Sequence, residues 1–201
     1  MKTVSGLFDD YKDAKTAVEA LERSGVPSDQ ISIVSNNADN DDGKDHSGAA
    51  NGAGTGAGLG AVVGGAGGLL TGLGMIAIPG VGPVVAAGWL AATAVGAIAG
   101  AVAGGAAGGL IGALIDSGVP EADAHVYAEG IRRGGTLVTA KVEDAVAINA
   151  ETILKHSNWV DPAERRNEYT RQGWTKFDDT LDPYGPEATE EERGRYRQPG
   201  V

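Results

Sequence analysis

The chain has 201 residues, with 27 Asp and Glu against 16 Lys and Arg and a formal net charge of −11. Such a chain repels nucleic acid unless a local basic patch overrides the total, and its sequence holds no such patch. Cysteine is absent, which excludes disulfides, a thiol nucleophile and a thiolate metal site and suits a reducing cytoplasm.

The opening run, Met1-Lys2-Thr3-Val4-Ser5-Gly6, reaches Asp9 and Asp10 without the apolar core of a secretory signal, so the polar parts of the chain are expected in the cytoplasm. Thr3 to Phe8 is β-prone. Asp9 or Asp10 can cap a helix with the apolar side Tyr11, Ala14, Ala17, Val18 and Leu21, ended by Ser24-Gly25. Ile31 to Ser35 reads as a second strand. The acidic loop from Asn36 to His46 suggests calcium, but an EF-hand register on Gly43 puts Ala38 at the first ligand and Ala49 at the twelfth, so it reads as a solvated linker.

From Ser47 to Ile115 no residue is charged, and glycine recurs every fourth position in two runs. One run is Gly52, Gly56, Gly60, Gly64, Gly68, Gly72; the other is Gly96, Gly100, Gly104, Gly108, Gly112. Four residues is close to one helical turn, so each run predicts a helix with a side-chain-free stripe, where a second backbone can pack closely: a glycine zipper. Glycine costs roughly 1 kcal/mol against alanine inside a helix, so these helices must recover stability from packing. Between the runs, Pro79, Gly80, Gly82 and Pro83 predict a hairpin tip. Arm one runs from Gly52 to Ile78 and arm two from Val84 to Ile115, each about 40 to 48 Å long as a helix and so long enough to cross a bilayer core. The faces off the stripe are apolar too, so something other than water must cover them. Trp89 and the small-residue spacing favour lipid; the Ala and Gly content and the acidic flanks, Asp39 to Asp45 and Asp116 to Asp123, favour burial against protein. Both covers stay open on the sequence.

After the hairpin, Pro120 to Arg133 reads as a helix stopped by Gly134-Gly135, Thr136 to Val142 as a strand, Asp144 to His156 as a helix and Trp159-Val160 as a short last strand. A shift of 133 positions aligns Thr3 with Thr136, Ala14 with Ala147, Ala17 with Ala150, Leu21 with Leu154 and Ser24 with Ser157. The predicted fold class is therefore α+β: a ferredoxin-like βαβ-βαβ domain interrupted by a long Gly/Ala-rich helical hairpin and followed by a polar tail. The expected division is 1–45 and 119–160 for the two half-domains, 46–118 for the hairpin and 161–201 for the tail. That tail holds Tyr169, Trp174, Phe177, Tyr184 and Tyr196, so Trp174 and Phe177 are expected to dock on a partner or a neighbouring subunit. Glu187 to Arg197 can add a helix with Thr189 as cap and Glu192 in a capping box.

No chemistry emerges. His46, His125 and His156 lack metal-ligand spacing to each other or to carboxylates. There is no phosphate loop, and Gly72-x-Gly74-x-x-Ala77 has no acidic residue at the distance a dinucleotide site needs. Phe8 is the only aromatic on the first three strands, too few for RNA stacking. No catalytic residue, cofactor, metal, nucleic acid or small-molecule substrate is expected.

The strand–helix opening, Ile31-Ser32-Ile33-Val34-Ser35, the Ile76 to Pro83 tip and the Gly118-Val119-Pro120-Glu121 restart resemble the bacterial general stress protein domain family, the YflT-like heat-induced stress proteins, over residues 3 to about 160. The resemblance implies a small non-enzymatic protein linked to heat, cold, salt or desiccation stress, and it brings no catalytic residues. Two readings follow. In one, the zipper hairpins build a homo-oligomer in the cytoplasm; in the other, the hairpin inserts in the inner membrane and senses or alters lipid packing, or forms a pore.

Overall fold

The computed structural model describes residues 1–36, 74–78, 80–93 and 109–197. Ile31–Asn36 (β2) is buried at every position, which marks a strand covered on both faces. It lies at the centre of a five-stranded antiparallel sheet in the order β1-β5-β2-β4-β3, with β1 Lys2–Phe8, β3 Gly74–Ile78, β4 Gly82–Gly88 and β5 Thr136–Val142. Beyond β1 lies a single antiparallel bridge from Leu7 to Val160, where the last strand was expected.

One face is covered by α1 (Tyr11–Arg23) and α4 (Ala147–His156), which pack Ala14, Ala17, Leu21, Ala147, Ala150 and Leu154 against Phe8, Ile31, Ile33 and Val138. Of the residues matched by the 133-residue shift, the helix pairs Ala14 and Ala147, Ala17 and Ala150, and Leu21 and Leu154 thus meet in one core, with β1 beside β5 in the sheet. The other face is covered by α2 (Leu110–Asp116) and α3 (Glu121–Arg132), with Leu114, Tyr127 and Ile131 packed on Leu7, Val34, Val84 and Leu137. The polar residues of β2 are satisfied locally. Ser32 Oγ donates to the Ala87 carbonyl and accepts from Leu90 N–H, Ser35 Oγ shares a hydrogen bond with Thr136 Oγ1, and Asn36 Nδ2 donates to the Arg132 carbonyl. Residues 161–197, expected as a tail, carry α5 (Pro162–Arg171) and α6 (Pro186–Arg197) and fold against the same domain.

Several expectations need correction. The arms were read as helical through Ile78 and from Val84, but Gly74–Ile78 and Gly82–Gly88 are paired strands that extend the sheet from β2. The Ile- and Val-rich runs around the tip favour extended backbone, and Gly80 and Gly82, at φ +72° and +85°, reverse the chain in a β-turn closed by Val81 N–H to the Ile78 carbonyl. Gly80, Gly82 and Pro83 therefore belong to a β-hairpin, not to a helix–helix connection. Thr189 is no cap, because α6 begins at Pro186 and Thr189 is buried against Gly134. Asp10 takes the N-cap position of α1 without a capping hydrogen bond, its carboxylate being 3.2 Å from Arg197. The zipper glycines Gly52 to Gly72 and Gly96 to Gly108, Pro79 and the loop with His46 lie outside the described residues. Gly112 lies in α2, where a Cβ would meet no described atom within 4 Å.

Candidate functional site

At one end of the sheet the β1–α1 and α3–β5 turns meet the returning tail. Glu129 sits on α3 and is fully buried, so its charge must be met inside the protein. Arg132 supplies a two-pronged contact, Nε at 2.9 Å and Nη2 at 2.6 Å, and Arg133 Nε a third bond at 2.6 Å. The spacing i, i+3 and i+4 brings these side chains over one helical turn. Arg133 then reaches into the tail: Nη1 donates to Glu192 on α6 at 2.6 Å and to Gln172 after α5, and its guanidinium lies over the Tyr169 ring at 4.1 Å.

A parallel arrangement holds the β1–α1 turn. Arg165 of α5 donates from both terminal nitrogens to Asp9, at 2.7 and 2.8 Å, and stacks on Tyr196 at 3.6 Å. Arg193 of α6 binds the Asp9 carbonyl at 2.8 Å and the Gly134 carbonyl at 3.0 Å. Gly134 has φ +99°, and a Cβ there would fall 2.2 Å from Thr189 Cγ2, so glycine is what lets α6 lie this close.

The electrostatics follow from burial. Burial lowers the guanidinium pKa values of Arg133 and Arg165, but hydrogen bonds to Glu129 and Glu192, and to Asp9, more than reverse this and hold both above the ordinary value. Burial pushes Tyr169 up to about 12 despite the two nearby arginines. Tyr196 is also raised, first by burial and then by Tyr169 beside it. Arginines and carboxylates neutralise one another here, with no nucleophile poised by a base, and no group of His, Asp and Glu that could hold a metal occurs among the described residues. The arrangement is a clasp that fastens the tail.

The expected docking residues sit on their own chain. Trp174 meets Tyr169 edge to face at 5.6 Å between ring centroids. Phe177 packs on the α2–α3 core, with its ring 2.8 Å from where a Cβ of Gly80 would stand, and Pro183 covers Gly82. Among the other expected residues, His125 Nε2 is 4.0 Å from Glu121 and His156 Nδ1 contacts the Thr152 carbonyl. The clasp residues Asp9, Glu129, Arg132, Arg133, Arg165, Glu192 and Arg193 were not singled out as a site. One signal was present: Asp161-Pro162 is a helix start, with Asp161 Oδ1 accepting from Ala163 and Glu164 N–H.

The fold and clasp define an α+β domain with a helix layer on each sheet face and a C-terminal strap ionically fastened across one end. Residues 3–78 match the family described as Heat induced stress protein YflT domain, a stretch that includes β1, α1, β2 and β3 and less than half of the chain. The match points to a general stress-response role. Comparison with curated proteins and with solved structures found no match.

Proposed function

We propose that this chain is a non-enzymatic bacterial general stress-response protein that self-associates through glycine-zipper segments into a homo-oligomeric cytoplasmic assembly. Its core is read as ferredoxin-like: the spatial order Val160, β1, β5, β2, with β5 antiparallel between parallel β1 and β2, is the order of that plan. The stress role rests on the match over residues 3–78. Self-association rests on one observation, the four-residue glycine register in an uncharged stretch whose composition demands packing.

The sheet bears on the membrane alternative. Residues 37–73 join the end of β2 to the start of β3, and 94–108 join the helical turn at 89–93 to α2, so both ends of each segment are held by one domain. A segment that leaves and returns must cross a bilayer twice, which takes about 40 residues as helix. Residues 94–108 fall far short of that length and 37–73 only just approach it, and the hairpin tip that was to lie across the membrane packs on Phe177 and Pro183 instead. No helix among the described residues is long and apolar enough to cross a membrane.

Cell fractionation with alkaline carbonate washing, followed by light-scattering mass determination without detergent, tests the reading. Soluble protein at a defined multiple of 20.2 kDa, reduced when Gly100 and Gly104 are both changed to Leu, is the expected result. A monomer overturns the assembly, and wash-resistant protein that needs detergent restores the membrane reading.

A further inference from the structure

β1 is an edge strand whose outer side is left open where a last strand would lie. Its inner side pairs with β5 along the whole of Lys2–Phe8, whereas among the described residues its outer side makes only the Leu7–Val160 bridge. The Leu7 carbonyl accepts Val160 N–H at 2.9 Å, so Leu7 points its backbone groups outward. Backbone direction alternates along a strand, so Thr3 and Ser5 point theirs outward too. Those groups have no backbone partner outside the ladder among the described residues. Beside them runs an open cavity of about 210 Å³, lined by Pro120 and Asp123 at the α3 start, by Glu151 and Lys155 of α4 and by Trp159. Ser5 lines it too, and its Oγ is buried without a hydrogen-bond partner. Between Thr3 and Ser5 the edge carries no proline, bulge or charge of the kind that blunts exposed edges.

We infer that this groove receives the β1 strand of a second copy of the chain, making a two-fold dimer with a sheet continuous across it. The occupant follows from register and charge. Val160 blocks Leu7, so the free outward residues are Thr3 and Ser5, and a two-fold axis through Val4 sets Thr3 opposite the partner's Ser5 in both directions. Each such pair exchanges two backbone hydrogen bonds, and Val4 faces its own copy between them. Lys2 then stands opposite the partner's Gly6, so no like charges oppose each other along the edge. Glu151 and Lys155 lie one turn apart on the α4 wall, both exposed. The same axis reverses α4 alongside its copy, which faces each Glu151 with the partner's Lys155. This interface uses none of the zipper glycines and stands independently of the zipper reading.

The test is light scattering on the full-length chain together with amide exchange at Thr3 and Ser5. Ser5→Pro removes one outward N–H while leaving the β5 ladder intact, and Glu151→Lys sets like charges across the axis without touching the core. Each is expected to halve the wild-type mass, with Glu151→Lys/Lys155→Glu restoring it, and the Ser5 amide is expected to lose protection on dilution. Unchanged mass in Glu151→Lys, or Ser5 protection independent of concentration, overturns the proposal, the latter by showing that the chain covers its own edge. Mass that falls only when Gly100 and Gly104 become Leu overturns this dimer and leaves the zipper assembly standing; mass that falls only in the edge variants does the reverse.

Discussion

Glu129 and Glu190 show how far burial decides what an ion pair is worth. Both accept from arginine at hydrogen-bond distance, yet Glu129 has no exposed surface while the Glu190 side chain is 64% exposed. Removing the Glu129 charge leaves Arg132 and Arg133 without their shared counter-ion in a site that excludes water. Glu129→Gln is expected to cost on the order of 3 kcal/mol in denaturant unfolding. Glu190→Gln, screened by solvent, is expected to cost less than about 1 kcal/mol. A Glu129→Gln protein as stable as the wild type would mean that Glu192 alone balances the cluster. The sequence shows an acid three and four residues before two arginines, a pattern found on countless solvated helices. What makes it a clasp is that α3 turns this face toward the tail, and that contact is long-range.

At the scale of elements, the strand–helix units were legible and the chain between them was not. β1, α1, β2, β5 and α4 follow from their periodicity and stops: Ser24-Gly25 closes α1 with Gly25 at φ +95°, and Gly134 at φ +99° follows α3. The hairpin β3–β4 departs from the helical expectation because the four-residue glycine register stops at Gly72 and resumes only at Gly96, and the Ile and Val residues between favour extended backbone once β2 offers a free edge. Local pattern and tertiary pairing compete there, and pairing wins. α5 was missed because its face is polar, although its start was written in the sequence. Asp161 caps two N–H groups at once, and α5 carries Arg165 to Asp9. Asp161→Ala is accordingly expected to lower stability by about 1 kcal/mol, seen as a lower denaturant midpoint at unchanged slope.

Over the whole molecule, burial of phenols on both sheet faces and in the clasp ties stability to alkaline pH. Tyr11, Tyr127, Tyr169 and Tyr196 all have raised pKa values, and in each burial is the leading cause. In the unfolded chain these groups release their protons near pH 10, while the folded protein retains them. Above that pH the native state binds more protons than the unfolded state, so stability is complete below about pH 10 and falls as pH rises past it. Tyr169, at about 12, contributes up to about 3 kcal/mol to this loss. Denaturant midpoints are expected to hold from neutral pH to about 9 and then to drop, less steeply in Tyr169→Phe; a flat profile to about pH 11.5 would contradict it.

What the sequence determined by itself was local or compositional. The α+β class, the paired strand–helix units, the stops at glycine and the absence of cysteine chemistry each depend on residues close together in the chain or on totals. Only the tertiary structure decided that residues 74–78 and 82–88 extend the sheet, that α3 covers the face opposite α1, that the tail folds back to bury Glu129, and that among the described residues the outer edge of β1 makes no more than one bridge. Those outcomes turn on which distant surfaces meet, and the free energy of such meetings comes from burial and pairing across the fold, which no local pattern of residues encodes.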